Sequence, residues 1–301
     1  ETMPLIIDFR VRPPCAGYLA TNIYADRART IGMVEAQGYA PSLSLVNADM
    51  TAFLDEQTRA GIDVCVVPGR WTTPDYGQVP NEALAELPRR YGRRFVCFAA
   101  VDAALPDAPD RLGAAIRDHG LAGLTLDPGF CAPPRYCDDP VYAPLYRRCV
   151  DLDVPVTITY SGHAGPDIGY ADPVRLDRVA AAFPTLRIVV VHAGWPWLPQ
   201  IFGVAFRRPN VFLSPDMYVV NMPGASQYVE AANGVLRDRV FFGSSYPFLP
   251  FDAALGYYRA LPFRREVTRL AAGLERWRWR QAPVGRRPGP MQNARRPGGA
   301  S

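Results

Sequence analysis

The sequence predicts a closed (β/α)8 barrel in a single domain. Three observations carry this. Short β-branched and aromatic runs have the apolar pattern of strands buried on both faces. Amphipathic stretches between them have helical spacing. The alternation repeats about eight times in roughly 260 residues, the size of one α/β barrel. A chain of 301 residues with 49% hydrophobic and 21% charged residues can bury such a core. A doubly wound open sheet is the alternative, but no GxGxxG follows any strand.

Strands are expected at 5–9, 64–67, 95–99, 123–126, 156–159, 188–191, 211–213 and 240–242. The first helix is expected over 47–57, where Asn47 supplies an N-cap residue type. Further helices are expected at 107–118, 139–152, 172–183, 196–206 and 224–236. Residues 10–46 read as a long connection rich in Pro, Gly and Tyr. Loops of that length are usually functional or disordered. The barrel is expected to span 3–281. Residues 282–301, rich in Arg, Pro and Gly, read as a disordered tail.

Composition excludes several chemistries. All 33 basic residues are arginine. Without lysine there is no Schiff base, no pyridoxal phosphate anchor and no Walker-type loop. A net charge of +4 leaves no basic footprint for nucleic acid. No apolar run approaches the ~20 residues of a membrane helix. The six cysteines form no CxxC pair and several lie in apolar runs. With no secretory leader seen, a reducing cytoplasm is the expected compartment.

Active sites of parallel barrels lie at the strand C-terminal ends. The residues that follow the strands are therefore the candidates. They are Asp8, Arg10 and Arg12; Arg70 and Trp71; Asp102; Asp127; Tyr160, Ser161 and His163; His192 and Trp195; Asp216 and Tyr218; Ser244, Ser245 and Tyr246. Arg10, Arg12 and Arg70 form a cluster suited to a carboxylate or phosphate. The alternative is a structural network with Asp8, Asp127 or Asp216. His192 is the proton-transfer candidate, against a hydrogen-bonded core histidine. His163 is either a second acid/base or a surface loop residue. His119, at a helix C-terminus, reads as structural. Asp216 either orients His192, acts as base, or pairs with an arginine. Tyr160, Tyr218 and Tyr246 are oxyanion donors or ordinary lining. Ser245 counts as mouth lining, since no GxSxG elbow surrounds it. Trp71 and Trp195 would wall an aromatic ligand. Trp197 more simply packs in its helix.

Two motifs add a resemblance. Ile188-Val-Val-Val-His192-Ala-Gly-Trp-Pro is similar to the strand 6 HxG signature of the amidohydrolase superfamily. Val240-Phe-Phe-Gly-Ser-Ser-Tyr-Pro-Phe248 is similar to its FGSDxP signature. Asp139-Pro-Val-Tyr and Val154-Pro-Val fit the amidohydrolase-2 branch, which includes aminocarboxymuconate-semialdehyde and resorcylate-type decarboxylases. The likeness covers about residues 3–260. It implies a barrel and an enzyme of small anions, with a homodimer as the assembly.

The chain departs from the family pattern at the metal. Arg10 and Arg12 stand where the family has His-x-His, Thr159 or Tyr160 replaces a strand 5 histidine, and Ser245 replaces the strand 8 aspartate. Guanidinium has no lone pair to give a cation, so no catalytic metal and no cofactor is expected. The reading is then a metal-independent lyase, decarboxylase, cyclase or isomerase acting on a carboxylated or enolisable ring, of the kind found in specialised biosynthesis. A metal-free lactone or ester hydrolase and a catalytically dead scaffold are the two alternatives.

Overall fold

The computed structural model describes residues 5–220 and 222–264. The tail expected at 282–301 lies outside the described residues.

Seven barrel staves are regular parallel strands: β1 (Ile7–Asp8), β2 (Val64–Val67), β3 (Phe95–Cys97), β4 (Leu124–Leu126), β5 (Val156–Thr159), β6 (Ile188–Val191) and β7 (Val211–Ser214). β1 pairs with β2, β2 with β3, and β4 through β7 pair in sequence. The two sheets join where Ala99 N donates to Gly123 O at 2.7 Å and Thr125 N to Ala99 O at 2.7 Å. The eighth stave, expected as a strand at 240–242, is an irregular segment with one ladder bridge, Leu213 to Val240. It still closes the ring. Phe241 N donates to Leu213 O at 2.8 Å, and Phe9 N donates to Phe242 O at 3.0 Å. Beyond it Ser245 adopts φ 59°, which no strand continues.

Strand alternation divides the core in two. Ile7, Phe9, Val66, Phe98, Val189, Val191 and Phe241 fill the barrel interior. Cys65, Val67, Leu124, Val156, Ile158, Ile188 and Val190 pack outward beneath the helices. Cysteine here acts as a small apolar residue, and all six are free thiols.

The helices follow the expected periodicity. The first is shifted: it runs Met50–Ala60, and Asp49 rather than Asn47 caps it, accepting from Ala52 N at 2.6 Å. Asp172 likewise caps Pro173–Ala182 through Val174 N. The 139–152 expectation splits into a 3-10 turn, Pro140–Tyr142, and the helix Ala143–Asp151. Helices Asn81–Tyr91 and Phe251–Ala260 were not expected from the sequence, nor was the small hairpin pairing Arg70–Trp71 with Gln78–Val79. The long connection is ordered. It holds Ala16–Leu19, Asn22–Ala25, Arg27–Ala36 and Leu43–Asn47. Tyr18 and Tyr24 anchor it, donating to Pro68 O at 2.6 Å and Arg12 O at 2.7 Å. Among the described residues no helix is long and apolar enough to cross a membrane.

Candidate active site

The C-terminal ends of β1, β5, β6 and β7 converge on one polar cluster. At the end of β6 the chain turns sharply, with positive φ at His192 (63°), Ala193 (43°) and Gly194 (71°). Asp216, just beyond β7, has φ 45°. Non-glycine residues held in the left-handed region cost of order 1–3 kcal/mol each. The surrounding fold imposes them here, and they aim side chains into the mouth.

Those two turns meet. His192 Nδ1 lies 2.8 Å from Asp216 Oδ1, and His192 N donates to Asp216 Oδ2 at 3.1 Å. Asp216 is fully buried and Tyr258 donates to its carbonyl at 3.1 Å. The carboxylate accepts at Nδ1, so Nε2 is the ring nitrogen left with a lone pair. Burial pushes the imidazole below its usual range, and the nearby Arg10 and Arg12 charges add to this against the pull of Asp216. The neutral imidazole is therefore the resting form at neutral pH. Tyr218 lies beside it, ring centroids 4.7 Å apart, with its hydroxyl 2.9 Å from Ser161 Oγ.

The arginines surround this pair. Arg10 Nε stands 3.9 Å from Asp216 Oδ2, and Arg10 Nη2 donates to Thr159 Oγ1 at 3.4 Å. Thr159 in turn donates to Asp127. Arg12 Nη1 donates to both Ser245 O and Ser245 Oγ at 3.3 Å, and its guanidinium lies 5.5 Å from the Phe248 ring. Arg70 Nη2 donates to Asn22 Oδ1 at 3.2 Å. Arg10 and Arg12 are each only 5% exposed. Burial and the charge of Arg10 push Arg12 down to about 9, still protonated at neutral pH. Arg10 Nε and Nη1 and Arg70 Nε are buried with no hydrogen-bond acceptor. Buried unpaired donors are costly. The structural-network alternative is thus met only in part, by the long Arg10–Asp216 pair. Asp8, also fully buried, accepts from Arg10 N at 3.1 Å and Ser244 N at 2.9 Å, and its Oδ2 has no partner. Burial raises it to about 7.

Several expected site residues lie elsewhere. Tyr160 shares strand parity with Val156 and Ile158 and faces outward. Its hydroxyl lies 2.8 Å from Cys137 Sγ and 3.3 Å from Asp172 O. Tyr246 stacks on Phe251 at 4.3 Å and its hydroxyl donates to Glu56 Oε2 at 2.7 Å, beside Ser42 and Ser44. Neither hydroxyl can serve as the oxyanion donor expected of it; Tyr218 is the tyrosine at the cluster. His163 is exposed, with its backbone N held by Ser161. Trp195 is half-buried against Tyr218 at 5.9 Å and donates to Pro223 O at 3.1 Å. Trp71 stands at the edge of a separate cleft. His119 meets Glu82 at 3.5 Å, a structural contact. Trp197 donates to Ile168 O at 3.2 Å, just before its helix. The link through Thr159 was missed by sequence reasoning. Its signal was available, since alternation turns Thr159 inward whenever Tyr160 faces out.

Comparison with known families decides the lineage. The amidohydrolase family model matches residues 22–270. The chain belongs to the amidohydrolase family. A solved structure, of an uncharacterised TIM-barrel protein from Bordetella bronchiseptica, is 36% identical with a TM-score of 0.85, covering 89% of this chain and 95% of that one. Gamma-resorcylate decarboxylase from Rhizobium radiobacter is 25% identical over 241 residues, 65% of this chain and 73% of its own. 2-Keto-4-carboxy-3-hexenedioate hydratase from Sphingobium is 27% identical over 238 residues, 65% of each chain.

The family resemblance implies a metal at this mouth, and the residues present do not fit one. Asp216 has one oxygen on the His192 ring and the other on its backbone, and two guanidinium cations occupy the head of β1. Among the described residues no group of three His, Cys, Asp or Glu is placed to hold a metal ion. A divalent cation would enter a field already positive.

Proposed function

We propose that this chain is a metal-independent lyase acting on a small carboxylated, enolisable ring compound. The single observation that carries this reading is the buried His192–Asp216 pair set against arginine donors that have no acceptor. The pair supplies a base. The arginines supply the positive charge that in other members a metal would bring. The Rhizobium and Sphingobium relatives, a decarboxylase and a hydratase by name, support the lyase class.

Arg10 and Arg70 hold the substrate anion through the donors that now lack partners, and Arg12 adds charge behind them. His192 Nε2 takes a proton from an acidic hydroxyl of the ring. Asp216 stabilises the imidazolium and keeps its orientation. The oxyanion formed is stabilised by guanidinium and by the Tyr218 hydroxyl. The imidazolium then protonates the ring carbon that bears the carboxylate. The carbon–carbon bond breaks, carbon dioxide leaves, and its electron pair returns to the ring as a phenolate. A solvent proton neutralises the product.

The test is turnover by chelator-treated protein across hydroxylated aromatic carboxylates. Carbon dioxide release that survives the chelator and disappears in His192→Ala supports the reading. Activity that the chelator abolishes and a divalent metal restores overturns it.

A further inference from the structure

A second compartment adjoins the arginine cluster. It is a cleft of about 210 Å³ between the hairpin Arg70–Trp71 and the loops after β3 and β4, lined by Trp71, Thr72, Gln78, Asp102, Asp127 and Tyr142. The mechanism above uses none of it. Hydrogen bonds and one short strand link the cleft to the cluster. Asp127 lines the cleft and accepts from Thr159, which accepts from Arg10. Arg70 and Trp71 are neighbours on one short strand, and the Arg70 charge acts on Asp127.

The cleft differs from the cluster in chemistry. Its charged acceptors are carboxylates. Among the described residues the Asp102 carboxylate accepts only from the backbone of Ala104, at 2.9 Å, and neither Asp102 nor Asp127 forms an ion pair. Arg135, also at the cleft, is held by Asp139 at 3.1 Å. A second anion would be repelled here. A hydrogen-bond donor would be drawn in, and the Trp71 indole offers it an apolar face at the rim.

We propose that this cleft is the distal half of the substrate site and that it selects ligands carrying a hydrogen-bond donor, hydroxyl or amino, at the end remote from the carboxylate. The substrate is then bipolar: its anion sits on the arginines and its donor end on Asp102 and Asp127. This rests on the anion-binding reading of the cluster.

The experiment measures affinity by titration calorimetry for matched pairs of acids. Benzoate, phenylacetate and 3-phenylpropanoate are each compared with their para-hydroxy and para-amino forms, on wild type, Asp102→Ala and Arg10→Ala. The expected result is one ring-to-carboxylate spacing at which the donor improves affinity by about tenfold or more, the worth of a charge-assisted hydrogen bond. Asp102→Ala should remove that gain and leave the unsubstituted acid bound as in wild type. A gain in the amino series alone would assign the cleft to an amine donor, in the hydroxy series alone to a hydroxyl donor, and in both to any donor; each supports the proposal. Acids that need Arg10 but show no gain in any pair, or a gain unchanged by Asp102→Ala, would overturn the cleft assignment and leave the anion site standing. Failure of every acid to bind the folded wild type would overturn both.

Discussion

His192 Nδ1 lies 2.8 Å from Asp216 Oδ1, and the other oxygen of that carboxylate is 3.9 Å from Arg10 Nε. One buried aspartate thus holds the imidazole and faces the arginine that has donors to give. The left-handed turns at His192 and Asp216 place both side chains where strand geometry alone would not.

The dyad sets the first prediction. Asp216→Asn and His192→Ala should each lower kcat by about a thousandfold or more, the scale of lost acid–base catalysis and tautomer control. Burial and the arginine charges push His192 down, so kcat/KM should rise with pH through an apparent pKa below the ordinary histidine value. A rising limb centred above that value would mean another group is the base.

Asp8 sets the second. Its pKa is raised by burial from 3.8 to about 7. The folded state therefore holds a proton that the unfolded chain releases. That stability is fully present below about pH 4, declines as pH rises, and is lost above about pH 7. Asp8→Asn keeps an acceptor for the two backbone donors and never ionises. The variant should gain stability over wild type at pH 8, on the order of 4 kcal/mol, with a flatter Tm profile between pH 4 and 7. Parallel profiles for the two proteins would show that Asp8 stays ionised in the fold.

Two tyrosines separate packing from chemistry. Tyr246→Phe removes the donor to half-buried Glu56 and should lower stability by about 1–3 kcal/mol while turnover persists. Tyr218→Phe should fold normally and lose kcat by about tenfold or more. Reversed outcomes would return Tyr246 to the oxyanion role.

The barrel was legible because its strands are apolar runs with helices between them, and that pattern survives without knowledge of long-range contacts. The eighth stave was misjudged because Val240-Phe-Phe looks like a strand, yet the turn through Ser245 leaves it only isolated bridges, Leu213 to Val240 and Val11 to Tyr246. Helix Asn81–Tyr91 was hidden by Pro88 inside it. That Arg10, Arg12, His192 and Asp216 come together was legible because barrel geometry gathers the strand ends at one mouth. Tyr160 was misplaced because residue type was weighed above alternation parity. Tyr246 was misplaced because its partners, Glu56, Ser42 and Ser44, come from about two hundred residues away, where sequence spacing carries no information.

The proposed chemistry requires that this mouth bind an organic anion on Arg10 without a metal. Thermal stabilisation of the chelator-treated protein tests it most directly, with aromatic carboxylates beside their methyl esters, on wild type and Arg10→Ala. A ligand at a hundredfold excess over Kd stabilises the fold by ~2.7 kcal/mol. Acids should stabilise wild type, esters should not, and Arg10→Ala should respond to neither. Esters as effective as acids, or an Arg10→Ala response equal to wild type, would contradict the account.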